Sequence, residues 1–185
     1  MKLILASNSP RRADILKQGG FSFEKRVADT DETLPDGILP AEAVEILAQR
    51  KGRAVPRAAD EVLLAADTVV ALDGRILGKP MDAADAEAML EMLSGHTHSV
   101  FTGVYITDGE REILFHTETR VTFYPLTQAE IRGYIQSGEP MDKAGAYGIQ
   151  GRGALFVEKI DGDYFNVVGL PLAKTAKMLK EVLQK

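Results

Sequence analysis

Short strand-like runs alternate along this chain with helix-patterned stretches and tight hairpin turns, and that alternation restricts the fold more than any other feature. Residues 2–6 form an apolar run suited by length and branching to a buried strand. Ser9-Pro10 then supplies an N-cap and a proline at the first helical position, opening a helix over Ala13, Ile15 and Leu16 that stops at Gly19-Gly20. Residues 21–27 alternate as a half-buried strand, and an acidic, turn-rich stretch occupies 29–37. A second helix is predicted from about Pro40 to Ala54, with Ala43, Val44, Leu47 and Ala48 on one face. Residues 62–66 read as a continuous apolar strand ending in Asp67-Thr68, and runs 69–72 and 75–77 flank the type I′ hairpin signal Asp73-Gly74.

The same rhythm continues to the last residues. Asp82 caps a third helix that ends near Leu93, with Gly95 behind it, and two strands form a hairpin around Asp108-Gly109. Thr127 and Glu130 form a capping box for a fourth helix ending at Gly138. A glycine-rich loop spans 143–153, a strand is predicted over 154–160, and a last helix starts at Pro171. Helices alternating with both strands and hairpins predict an α/β fold with an elongated mixed sheet, its ligand in a cleft between two lobes. At 185 residues the chain makes one domain, 1–185, without repeat or linker.

Composition removes whole classes of chemistry. With no cysteine there is no disulfide framework, no Cys-based zinc or iron–sulfur site and no thiolate nucleophile. The longest apolar runs have five residues, far from the roughly 20 that span a bilayer, and Ser7, Ser9, Arg11 and Arg12 cut the N-terminal run too early for a signal peptide. A net charge of −5 argues against a broad nucleic-acid surface. The expectation is a cytoplasmic domain acting on a small molecule, without membrane or nucleic-acid partners; a homodimer is compatible with the sequence.

Several motifs fail on inspection. The stretch 74–80 is one residue short of a P-loop and lacks Ser or Thr after Lys79, and there is no G-x-S-x-G elbow. His96 and His98, just past a helix end, are expected at the surface. Four segments remain. Residues 7–12 bring hydroxyls, helix N-terminal amides and two guanidinium groups to one strand-to-helix turn, which suits a phosphate chain; plain capping by Ser9 with solvated arginines competes with that reading. Asp67 sits at the end of an apolar strand, where a carboxylate needs a cation or hydrogen bond to offset desolvation. The acidic loop 29–32 can supply a metal carboxylate, and Lys51, Lys79 and Lys143 stand at a helix end, beside a hairpin and at the start of the glycine-rich loop. Together these suggest nucleotide or phosphate-ester chemistry.

At these residues the chain resembles the Maf family of nucleoside triphosphate pyrophosphatases, also called septum formation inhibitors. The matching stretches are LILASNSPRR (3–12), AADTV (65–69), LGKP (77–80), LSGHTHSV (93–100), EPMDKAGAYGIQGRG (139–153) and VVGLPL (167–172). The resemblance implies an inosine-triphosphatase-like fold and hydrolysis of a nucleoside triphosphate to monophosphate and pyrophosphate with Mg²⁺ or Mn²⁺. It also implies a house-cleaning role and a link to division arrest. It assigns Asp67 as proton acceptor and metal ligand, Glu32 as the second metal carboxylate with Asp31 its neighbouring alternative, and Ser9, Arg12, Lys51 and Lys79 as substrate-binding groups. Arg12, Thr68 and Gln150 resemble the branch cleaving dTTP and UTP. The rival readings are a 7-methyl-GTP pyrophosphatase and a non-enzymatic nucleotide-binding regulator. One departure is Gly52, where the family pattern leads one to expect alanine.

Overall fold

The computed structural model describes residues 1–183. Its strands form one mixed sheet in the order β2-β1-β3-β5-β6-β7, with β4 also paired to β3. β1 (Lys2–Leu5) runs parallel to β2 (Phe23–Lys25) and β3 (Glu61–Leu72). β4 (Arg75–Leu77) and β5 (Thr97–Thr107) are antiparallel to β3, and β6 (Glu112–Phe123) and β7 (Val157–Asp161) extend the antiparallel half. The parallel half needs long crossovers, which α1 (Pro10–Gln18) and α2 (Pro40–Ala54) provide. Among the described residues no helix is long and apolar enough to cross a membrane.

Period-two alternation sends successive residues to opposite faces of the sheet. Leu3, Leu5, Val62, Leu64 and Ala66 join the larger core with residues of α1, α3 (Ala83–Leu93), α4 (Gln128–Gln136) and α6 (Leu172–Leu183). Ile4, Ala6, Leu63 and Ala65 pack with Ala48, Val55 and Tyr105 on the α2 side. Gly52 lies inside α2, and a Cβ there would run into the Tyr105 ring. The ring therefore takes the space of the missing methyl, and the helix continues past Lys51 to Ala54.

Several expectations are revised. The strand through residue 67 does not end there: β3 continues to Leu72. What ends is its pairing on one edge, because β1 covers residues 61–64 and β4 covers 70–72 while β5 runs unbroken along the other edge from 63 to 71. β2 is only Phe23–Lys25, the three residues facing β1. Residues 152–156 form a 3₁₀ turn, so β7 begins at Val157 and not at 154. A short helix α5 (Tyr164–Val168), capped by Asp163, had no signal because five residues carry no readable period. The Asp73-Gly74 hairpin has positive φ at both residues, as its sequence requires.

His96 is exposed as expected, but His98 is buried. The alternation of β5 carries it inward beside Val100, and its Nε2 lies 2.8 Å from the Tyr147 hydroxyl with Phe123 packed against the ring. Burial pushes this imidazole down to about 4 from an ordinary 6.5. The unfolded chain binds more protons between these values, so stability is lost as pH falls through this window. Unfolding free energy is expected to drop by up to ~3 kcal/mol from this group between about pH 6.5 and 4. His98→Leu should flatten that part of the denaturation profile; an unchanged profile would assign the protons elsewhere.

Candidate active site

The interruption in the edge of β3 creates the site. Between the ends of β1 and β4, Asp67 and Thr68 are half-buried in a strand whose preceding six residues are buried. A cleft of about 1170 Å³ opens there. Ser9, Arg12, Glu32, Lys51, Asp67, Thr68, Lys79 and Gln150 all line it, so residues spread over 142 positions of sequence meet around one space.

One wall is the turn from β1 into α1. Ser9 caps α1 through its hydroxyl, which accepts the Arg12 amide at 3.4 Å and keeps its own proton for another acceptor. The Arg12 guanidinium donates from Nε to Gly169 O (2.8 Å), from Nη1 to Ser7 Oγ (3.1 Å) and from Nη2 to Thr68 Oγ1 (3.0 Å). Three of its five N–H groups hold it in place and two remain. Burial lowers its pKa, and Asp67 opposes that shift.

Behind Arg12 runs a hydrogen-bond chain with a defined direction. Thr102, fully buried, gives its only proton to Asn166 O at 3.0 Å. Its 2.9 Å contact with Thr68 must therefore use the Thr68 proton. Thr68 also accepts from Arg12, which leaves one lone pair on its hydroxyl and no proton. Toward a ligand, Thr68 is an acceptor only. Neither Thr102 nor Asn166 was singled out in the sequence, because a buried threonine in a strand carries no local signal of this kind.

Asp67, Lys51 and Glu32 form the floor. The Lys51 ammonium on α2 bonds Asp67 Oδ1 and sits 2.8 Å from Glu32 Oε1. Arg50 holds the acidic loop through the carbonyls of Asp31 (3.2 Å) and Thr33 (2.6 Å). Asp31 turns its carboxylate back onto the Thr33 amide at 2.9 Å, an Asx-type turn that lowers its pKa. Of the two acidic candidates, Glu32 is thus the one that shares a cation with Asp67.

Another part of the rim comes from the glycine-rich segment and the β4 hairpin. Arg11 reaches Asp142 at 3.6 Å, and Lys143 binds Asp142 Oδ1 (2.6 Å) and Glu139 O (2.7 Å). Among the described residues, Arg12 and Lys79 line the cleft with no carboxylate within 4.0 Å, so their charge is available to a polyanion. Gln150 is exposed on this rim. Its loop is held by Glu139, a residue the spacing did not mark; the clue was indirect, in glycines at 148, 151 and 153 that require a close neighbour.

The Maf-like protein family profile matches residues 2–182. The chain belongs to the Maf family. Among Maf relatives, a protein named dTTP/UTP pyrophosphatase from Bacillus pumilus is 52% identical over 180 residues, covering 97% of this chain and 95% of the relative. One of the same name from Symbiobacterium thermophilum is 52% identical over 181 residues, covering 97% and 93%. The solved structure of a HAM1 protein from Coxiella burnetii superimposes with a TM-score of 0.51 at 17% identity, covering 98% of this chain and 99% of that one. This Maf chain shares its fold with that protein, an open mixed sheet with flanking helices.

Proposed function

We propose that this chain hydrolyses dTTP and UTP to the nucleoside monophosphate and pyrophosphate. The observation that carries this reading is the gathering of Asp67, Glu32, Lys51, Arg12, Thr68, Lys79 and Ser9 around one cleft, with two of its cations unpaired. Near-full-length identity of about half to relatives named for that activity supports it.

The reaction forms a bond from water oxygen to the α-phosphorus and breaks the bond to the bridging oxygen of the leaving pyrophosphate. Asp67 takes the water's proton: Oδ1 is held by Lys51, which fixes the carboxylate and leaves Oδ2 to act as base. Arg12 turns its two spare N–H groups to phosphate oxygens, Lys79 adds a second positive charge, and Ser9 donates its hydroxyl proton. Thr68 cannot donate and so meets a base N–H or sugar hydroxyl instead of a phosphate. A divalent cation suits two carboxylates that already converge on one ammonium; Glu32 and Asp67 would hold it, and it would neutralise triphosphate charge.

Base choice is assigned to Gln150. Its amide offers donor and acceptor together, matching the N3–H and carbonyl oxygens of uracil and thymine. Gln150→Glu sets like-signed charge against those carbonyls and is expected to lower kcat/KM for dTTP and UTP by roughly 1–3 kcal/mol, with less harm to 7-methyl-GTP. An equal loss on pyrimidine and purine substrates would remove Gln150 from base recognition. The reaction itself is tested by product analysis: UMP and pyrophosphate in equal amounts support it, whereas UDP and phosphate would overturn it.

A further inference from the structure

The side chain assigned to the base sits on a loop that one carboxylate holds at both ends. Glu139 follows α4 in a 3₁₀ turn, Glu139–Asp142. Its Oε1 accepts the Tyr134 hydroxyl at 2.9 Å and the Gly153 amide at 3.3 Å, while Oε2 accepts the Arg152 amide at 2.9 Å. The buried Tyr134 oxygen in turn accepts the Gly148 amide at 3.0 Å. Amides on both sides of Gln150 are therefore fastened to Glu139, directly at 152 and 153 and through Tyr134 at 148.

The loop's composition fits this clamp. A Cβ at Gly151 would collide with the Glu139 carboxylate, and one at Gly153 would lie 2.5 Å from Gly148 O and 2.9 Å from the Tyr134 hydroxyl. Three donors and no acceptor converge on the Glu139 side chain, an arrangement that an ionised carboxylate satisfies and an amide cannot. Burial disfavours the charged form, but the Arg152 amide, Tyr134 hydroxyl and Gly153 amide outweigh it and hold the carboxyl below its ordinary value.

We propose that Glu139 is a positioning residue for base recognition: by tying both ends of the 148–153 loop, it sets where Gln150 presents its amide to the nucleobase. This rests on the reading of Gln150 given above. Both Glu139 carboxylate oxygens are taken up by Tyr134 and the loop amides, so its loss should act on binding and discrimination more than on turnover. Rigid presentation is what a polar contact needs to discriminate, because a mobile amide can re-pair with the wrong base edge.

The test compares Glu139→Gln, Gln150→Ala and the double variant, with Tyr134→Phe as a milder break should Glu139→Gln fail to fold. Glu139→Gln is expected to raise KM for UTP about tenfold and change kcat less than threefold. The UTP-to-GTP ratio of kcat/KM should fall about tenfold, with no further fall in the double variant relative to Gln150→Ala. Amide exchange at Arg152 and Gly153 should accelerate at least tenfold while the central strands stay protected. Equal losses on UTP and GTP, additive losses in the double variant, or unchanged exchange at those amides would overturn the proposal. If Gln150→Ala leaves the UTP-to-GTP ratio intact, the base assignment fails separately. Accelerated exchange with an intact ratio in every variant would make the clamp structural only, and so overturn its role in recognition.

Discussion

Asp67→Asn is expected to lower kcat by about a hundred- to ten-thousandfold, the span over which a positioned general base contributes. The amide is nearly isosteric and can still accept from Lys51, so the fold should persist and UTP should still bind. It lacks the basicity to take a proton and the charge to help hold a cation. Steady-state kinetics at saturating Mg²⁺ or Mn²⁺, with UTP affinity measured by calorimetry, separates these effects. A variant with near-normal kcat would assign activation of the water to another group.

Arg12→Ala is expected to lower kcat/KM by about a hundred- to a thousandfold, the loss seen when one preorganised donor to developing charge is removed. Two effects combine here. Phosphate loses a bidentate partner, and Gly169 O, Ser7 Oγ and Thr68 Oγ1 lose the donor that links the start of α1 to β3 and the end of α5. Arg12→Lys should recover little, since one ammonium cannot reach all three acceptors and a phosphate as well. KM and kcat measured separately for both variants distinguish the roles: a rise in KM with unchanged kcat would make Arg12 a uniform binding group. Unchanged kinetics would leave the Ser9-Pro10 turn an ordinary helix cap.

The sequence disclosed those parts of the molecule whose causes are local. Ser9-Pro10, the Thr127–Glu130 capping box and Asp73-Gly74 all mark ends that the structure contains, because each cap or turn is made by neighbours in the chain. The path of β3 is not legible there for the opposite reason. A polar Asp67-Thr68 pair inside a strand resembles a strand end, and only the pairing partners reveal a gap along one edge of an unbroken strand. The burial of His98 is hidden similarly, since it depends on Phe123 and Tyr147 arriving from distant segments.

The candidate site divides along the same line. Resemblance to a family brought eight residues together by name, and the cleft contains all eight. The groups that hold them were not legible: Thr102 and Asn166 set the proton direction at Thr68, and Glu139 with Tyr134 fastens the Gln150 loop. Such residues act through hydrogen bonds made across the fold, where spacing along the chain carries no trace of the contact. Glycines 151 and 153 were visible, but the atoms they make room for were not.

Substrate choice bears most directly on the proposed activity, and kcat/KM of the unaltered protein for dTTP, UTP, GTP and 7-methyl-GTP, measured by pyrophosphate release with Mg²⁺ or Mn²⁺, decides it. The expected result is that dTTP and UTP exceed both purine nucleotides by at least about tenfold, the preference worth 1.4 kcal/mol or more that one well-placed polar contact supplies. A preference for 7-methyl-GTP, or the absence of pyrophosphate release from all four, would contradict it.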